Sequence, residues 1–124
     1  MISGDTKAFD INKYTVGNAA KKELIVIEET GDEFEISIKP LSWAKRNELI
    51  SEHMNWDSKG NTSFNASTYM RACLREMIID APWGVTTEGF LISIDERLGS
   101  ALEKIVPQAF GTEGGVDIDT TKKE

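Results

Sequence analysis

One stretch of the sequence constrains the fold more than any other: Glu33 to Met54, reading EFEISIKPLSWAKRNELISEHM. Phe34, Ile36 and Ile38 alternate with Glu33, Glu35, Ser37 and Lys39, the period of a strand with one face buried. Pro40 has no N–H to donate and ends the ladder. Leu41-Ser42-Trp43 then leads into a helical run, with Ser42 placed to cap it. A strand, a stop and a helix start follow one another without a gap.

The neighbouring segments complete an α+β reading. Leu24, Ile25, Val26 and Ile27 make a first strand over Glu23–Glu28, and Glu29-Thr30-Gly31-Asp32 supplies the turn back into Glu33–Lys39. A lone hairpin is marginal in water, so it must lie against helices or another sheet edge. The first helix is expected from Trp43 to Met54, with Trp43, Ile50, Met54 and the adjacent Leu49 as its apolar stripe. Asn55 to Asn65, NWDSKGNTSFN, is rich in turn formers and reads as a long loop. Tyr69, Met70, Cys73, Leu74, Met77 and Ile78 recur at the helical period, with Asn65 or Ser67 as cap and Pro82 barring continuation. A break at Trp83-Gly84-Val85 precedes a short helical piece around Thr87–Ser93. Asp95 caps a last helix through Val106, closed by Pro107.

These elements predict an N-terminal antiparallel β-hairpin packed on a C-terminal bundle of three to four helices. Residues 1–22 read as an irregular arm with anchors at Phe9, Ile11, Tyr14 and Val16, residues 23–107 as one α+β domain, and residues 108–124 as a disordered tail. At 124 residues the chain suits a single domain.

Little in the chain announces chemistry. His53 is the only histidine, and Glu52 beside it on a helix points about 100° away, so a metal or acid–base pair lacks the right spacing. Cys73 is the only cysteine, which excludes an internal disulfide and fits a reducing compartment; on its apolar stripe it reads as a buried structural thiol. Asp57-Ser58-Lys59-Gly60-Asn61 faintly resembles a calcium loop but has its glycine too early and a lysine at a ligand position. Glu33 and Glu35 read as a solvated strand face. No catalytic residue, metal site or cofactor is expected, and the chain is read as a non-enzyme.

A formal charge of −7 argues against nucleic acid as partner, since phosphate binding needs clustered Lys and Arg. The start, MISGDTKAFD, lacks a signal peptide's basic and apolar regions, and Leu24–Ile27 is far too short to span a membrane. The aromatics are the better lead. Trp43, Trp56 and Trp83 sit at element boundaries, and Trp56 and Phe64 interrupt a polar segment. Phe9, Trp56, Phe64 and Trp83 are the candidate partner-binding residues, because large apolar side chains in irregular segments suit a docking surface.

Taken in order, the parts resemble the tail assembly chaperones of long-tailed bacteriophages and related prophages. The resemblance is carried by Phe9-Asp10-Ile11-Asn12-Lys13-Tyr14 ahead of the hairpin, by Ile38-Lys39-Pro40-Leu41-Ser42-Trp43, by the helix holding Tyr69 to Ile78, by the break at Pro82-Trp83, and by a last helical segment ending near Val106. It spans about residues 9 to 107. The resemblance implies a protein that coats the tape measure protein during tail morphogenesis, keeps it soluble, helps recruit tail tube subunits, works in the host cytoplasm and is absent from the mature virion. It assigns Pro40 and Ser42 to the strand-to-helix turn and Tyr69, Leu74 and Ile78 to the core; no binding residue transfers. Thr121-Lys122-Lys123 is compatible with the slippery codons by which such genes make a longer form. The competing reading is a minor tail or connector subunit retained in the virion, and an exposed hairpin edge leaves self-association open.

Overall fold

The computed structural model describes residues 8–17 and 19–109. Residues 1–7 and those beyond Ala109, with most of the expected tail and the Thr121-Lys122-Lys123 segment, lie outside the described residues.

The architecture is α+β. A hairpin of β1 (Lys21–Ile27) and β2 (Asp32–Ile38) is followed by α1 (Trp43–Glu52) and a second hairpin, β3 (Met54–Trp56) and β4 (Thr62–Phe64). After it come α2 (Ala66–Met77), β5 (Ile78–Asp80), α3 (Glu88–Ser93) and α4 (Glu96–Glu103). The order in the larger sheet is β1-β2-β5, antiparallel throughout, with β3 and β4 forming a separate two-stranded sheet. Gly31 holds the β1–β2 turn at φ 79°, where an L side chain is strained, and its N–H donates to the Ile27 carbonyl at 2.7 Å.

Register decides which side chains face the helices. Ile25 sits opposite Phe34, and Glu23 opposite Ile36. Ile25, Ile36 and Ile38 are buried with Leu49, Tyr69, Cys73, Leu74, Met77, Leu91 and Leu102 in one core. Burying each such side chain contributes about 1.5–3 kcal/mol before the entropy of ordering it is counted. The helices lie over this inner face. Leu24 and Val26 alternate to the outer face, opposite Glu35 and Glu33, and stay exposed. The near-continuous apolar run Leu24–Ile27 is therefore not buried on both sides.

Six expectations are corrected. The segment Asn55–Asn65 is not a long loop. It folds back as β3–β4, with Met54 opposite Phe64 and Trp56 opposite Thr62. Its turn is built by Asp57, whose carboxylate accepts from the backbone N–H of Lys59 and of Asn61, both at 2.9 Å, and by Gly60 at φ 83°. The first helix stops at Glu52, with His53 as its C-cap, because Met54 is taken by β3.

Its stripe differs too: Leu49 is buried, whereas Trp43 is 77% exposed. At 100° per residue Leu49 lies about 120° round the helix from Trp43. The packed sector runs through Leu49, Arg46 and Ile50 and leaves Trp43 at its rim. The second helix stops at Met77. Ile78 turns into β5 and pairs with Ile38, so the sheet has a third strand. The last helix ends at Glu103, and Lys104 to Val106 form a turn. At the N-terminal side, Ile11–Tyr14 form a 3-10 turn capped by Asp10, and β1 starts at Lys21, inside the segment expected to be arm.

Candidate functional site

The four candidate aromatics divide into two kinds. Phe9 is 74% exposed and stacks on Tyr14, the ring centroids 5.4 Å apart and parallel within 1°. Asp10 fixes this arm locally by accepting from the Asn12 N–H at 3.1 Å. Further along, Val16 lines a hollow of about 320 Å3 with Pro40, Leu41, Lys45 and Glu76, so the arm runs beside the strand-to-helix turn.

Trp56 is 72% exposed. The β3–β4 register puts Met54, Trp56, Thr62 and Phe64 on one face of the hairpin. Phe64 ends that face on the core, its ring 5.3 Å from that of Tyr69. Trp56 shares that face, opposite Thr62, and stays exposed. The turn at its tip is ordered by the Asp57 carboxylate, which accepts from the Asn61 and Lys59 backbone N–H groups, and these bonds hold its pKa below the ordinary value. An indole has only two side-chain torsions to immobilise on binding, and its strand is already hydrogen-bonded to β4, which suits Trp56 to act as an anchor.

Trp83 is positioned otherwise. Its indole N–H donates to the Thr86 hydroxyl at 2.9 Å, its ring stacks on Phe90 at 4.7 Å, and Phe34 meets it edge-on at 5.5 Å. It closes the end of the core between β2 and α3. Phe64 and Trp83 are thus held by the domain itself, whereas Phe9 and Trp56 are presented by it. Trp43, exposed at the first turn of α1, joins the presented set. Spacing alone puts it in the apolar stripe of α1. The available signal was its position directly after the Ser42 cap, at the very end of the helix, where few neighbours reach.

The other singled-out residues have structural partners. His53 Nδ1 lies 2.8 Å from the Thr68 hydroxyl, which itself donates to the Asn65 carbonyl at 3.2 Å; the ring nitrogen is then the donor. Cys73 is fully buried, and burial pushes its thiol above the ordinary value, away from nucleophilic character. The Asp57 carboxylate is already engaged by backbone N–H groups. Among the described residues no cluster of three or more His, Cys, Asp or Glu side chains is arranged to hold a metal ion. Nor, among them, is any helix long and apolar enough to cross a membrane.

A shallow groove of about 250 Å3 separates α2 from α3 and α4, floored by Met70, Leu74, Leu91 and Ile94. Its rim is braced by Glu88, which binds Arg71 at 2.7 Å and Arg75 at 3.3 Å. It is open to solvent, and Ser67, Arg71, Asp95, Glu96, Ser100 and Glu103 line its sides. No family model, no curated protein and no solved structure matches the chain.

Proposed function

We propose that this chain is a non-catalytic tail assembly chaperone that binds the phage tape measure protein, keeps its apolar helical surface soluble, and helps bring tail tube subunits to it. It acts in the host cytoplasm and leaves before the virion is complete. The observation that carries the reading is the exposure of Phe9, Trp43 and Trp56 on a domain whose core closes without them. Large aromatic side chains spared from the core are a surface fit for an apolar partner. The ordered set of sequence features from Phe9 to Val106 supports the same reading by resemblance.

Co-expression with the neighbouring tape measure gene product tests it. The expected outcome is that the two co-purify and that the tape measure protein stays in the supernatant only when this chain is present. If it neither co-purifies nor is kept soluble, the proposal fails. Purified particles separate the competing reading, a retained tail or connector subunit: a chaperone is missing from them and a structural subunit is present.

A further inference from the structure

The groove between α2 and α4 is built from one stripe of each helix. Ser67, Met70, Arg71 and Leu74 recur at the helical spacing on α2, and Glu96, Gly99, Ser100 and Glu103 do the same on α4. Each stripe covers two turns, about 10 Å of helix. Leu91 and Ile94 complete the apolar floor between them. The hollow of about 250 Å3 is too small for a second backbone and large enough for an apolar side chain.

Two residues of the α4 stripe are poor choices for the domain alone. Gly99 stands in the interior of an eight-residue helix, where glycine is among the least favourable residues. Its backbone is not left-handed, and a Cβ there would meet only Ile94 Cδ1 at 3.9 Å, an ordinary contact. Nothing inside the fold requires the glycine. Glu103 is the last residue of α4, where the negative end of the helix disfavours a carboxylate, and among the described residues it has no ion pair. Glu96 accepts from the Ser100 hydroxyl at 2.8 Å and likewise has no counter-cation among them. The other charges of the groove are met within the domain, Arg71 by Glu88 and Asp95 by Arg97.

We propose that this groove docks a partner helix, which seats one large apolar side chain in the hollow and sets two lysines or arginines, seven residues apart, against Glu96 and Glu103. The two carboxylates are themselves seven residues apart, so a helix lying along α4 matches their spacing. Its apolar residue then falls three or four positions after the first cation, level with Gly99, whose missing side chain lets the partner approach. Charge selects this occupant. A second copy of the chain brings a net charge of −7 to a wall that is already acidic. The inference goes beyond the chaperone reading and does not rest on it, since Phe9, Trp43 and Trp56 are not part of this groove.

Fluorescence anisotropy of a labelled peptide titrated with the full chain tests it. The peptide is an alanine-rich helix with lysine at i and i+7 and leucine at i+3 and i+4, and its control carries glutamate for lysine. The lysine peptide is expected to bind, and the glutamate peptide to bind roughly tenfold more weakly or worse. Gly99→Leu fills the hollow and weakens binding of the lysine peptide roughly tenfold, and Glu103→Lys weakens it roughly fivefold. Both substitutions improve α4 as a helix, so the melting temperature holds or rises, which separates lost binding from lost folding. Glu35→Lys makes the same charge change on the outer face of the sheet and is expected to weaken binding less than about twofold. A lysine peptide that does not bind overturns the proposal, as does binding indifferent to Gly99→Leu. Equal losses in Glu35→Lys and Glu103→Lys overturn it too, because the attraction is then to net charge and not to the groove.

Discussion

Tyr69 shows how one side chain ties distant parts of this chain together. Its hydroxyl donates to the Pro107 carbonyl at 3.0 Å while its ring packs on Phe64. Nearby, Arg46 Nη1 donates to the carbonyls of Gln108 and Ala109 at 2.8 and 3.1 Å. Together they pin the segment after α4 across α1 and α2. Tyr69→Phe keeps the ring but leaves the Pro107 carbonyl without its donor, at a cost of about 1–2 kcal/mol in urea unfolding.

The same residue shapes the response to base. Burial, followed by the neighbouring Cys73, pushes the Tyr69 phenol well above its ordinary 10.0, and burial pushes the Cys73 thiol above 9.0. Both groups are therefore neutral in the folded state at pH values where the unfolded chain ionises them. Their contribution to stability is complete below about pH 8 and is lost as pH rises through the unfolded values toward the raised folded ones. Melting followed from pH 7 to pH 11 is expected to fall off above about pH 9, with a shallower fall in Tyr69→Phe. A profile that stays flat to pH 11 would refute this assignment.

At the scale of elements, what the sequence made legible depended on length and on local chemistry. The β1–β2 hairpin, the proline stop and α2 were all readable because periodicity ran over enough residues to be distinctive. The caps Ser42 and Asp95 were readable for a similar reason, whereas the sequence offers Asn65 or Ser67 for the second helix and does not single out Thr87. Ser42, Asn65 and Asp95 accept from the N–H groups of Lys45, Thr68 and Leu98, the third helical position in each case, and so does Thr87 from Phe90.

The three-residue strands β3, β4 and β5 were not readable. They are too short to show a period, and β3–β4 is interrupted by the turn formers that define it. The Ile78–Ile79 pair carried a β-branched hint that the helical stripe outweighed. Trp43 was misplaced because a stripe drawn from spacing does not say where a helix's neighbours end. A pair of substitutions separates size from position here. Trp43→Ala removes the larger side chain yet is expected to shift stability by less than about 0.5 kcal/mol, whereas Leu49→Ala costs about 2–4 kcal/mol. Ser42→Ala falls between them, at about 1 kcal/mol, through loss of the cap. Urea midpoints of the three variants give the order directly, and a Trp43 effect larger than that of Leu49 would mean that α1 packs through the other face.

For the molecule as a whole, the division of the aromatics into held and presented residues is the property that the functional proposal depends on. A net charge of −7 on the whole chain favours dispersal through self-repulsion, which makes a few large apolar side chains tolerable on its surface. If those side chains serve a partner, binding and stability separate by residue. Trp56→Ser and Phe9→Ser remove exposed rings that touch little of the domain's core, so each is expected to move the melting temperature by no more than about 2 °C. Each should also release the tape measure protein into the insoluble fraction on co-expression. Trp83→Ala is the counterpart: it empties the end of the core between Phe34 and Phe90 and orphans the Thr86 hydroxyl. That substitution is expected to cost about 2–4 kcal/mol and lower the melting temperature by roughly 10–20 °C. At a temperature where the Trp83→Ala chain is still folded, it should capture the partner as well as the wild type does. Should Trp83→Ala abolish capture while remaining folded, and Trp56→Ser and Phe9→Ser leave it intact, the binding surface lies at the β2–α3 end of the domain and not on the arm and the second hairpin.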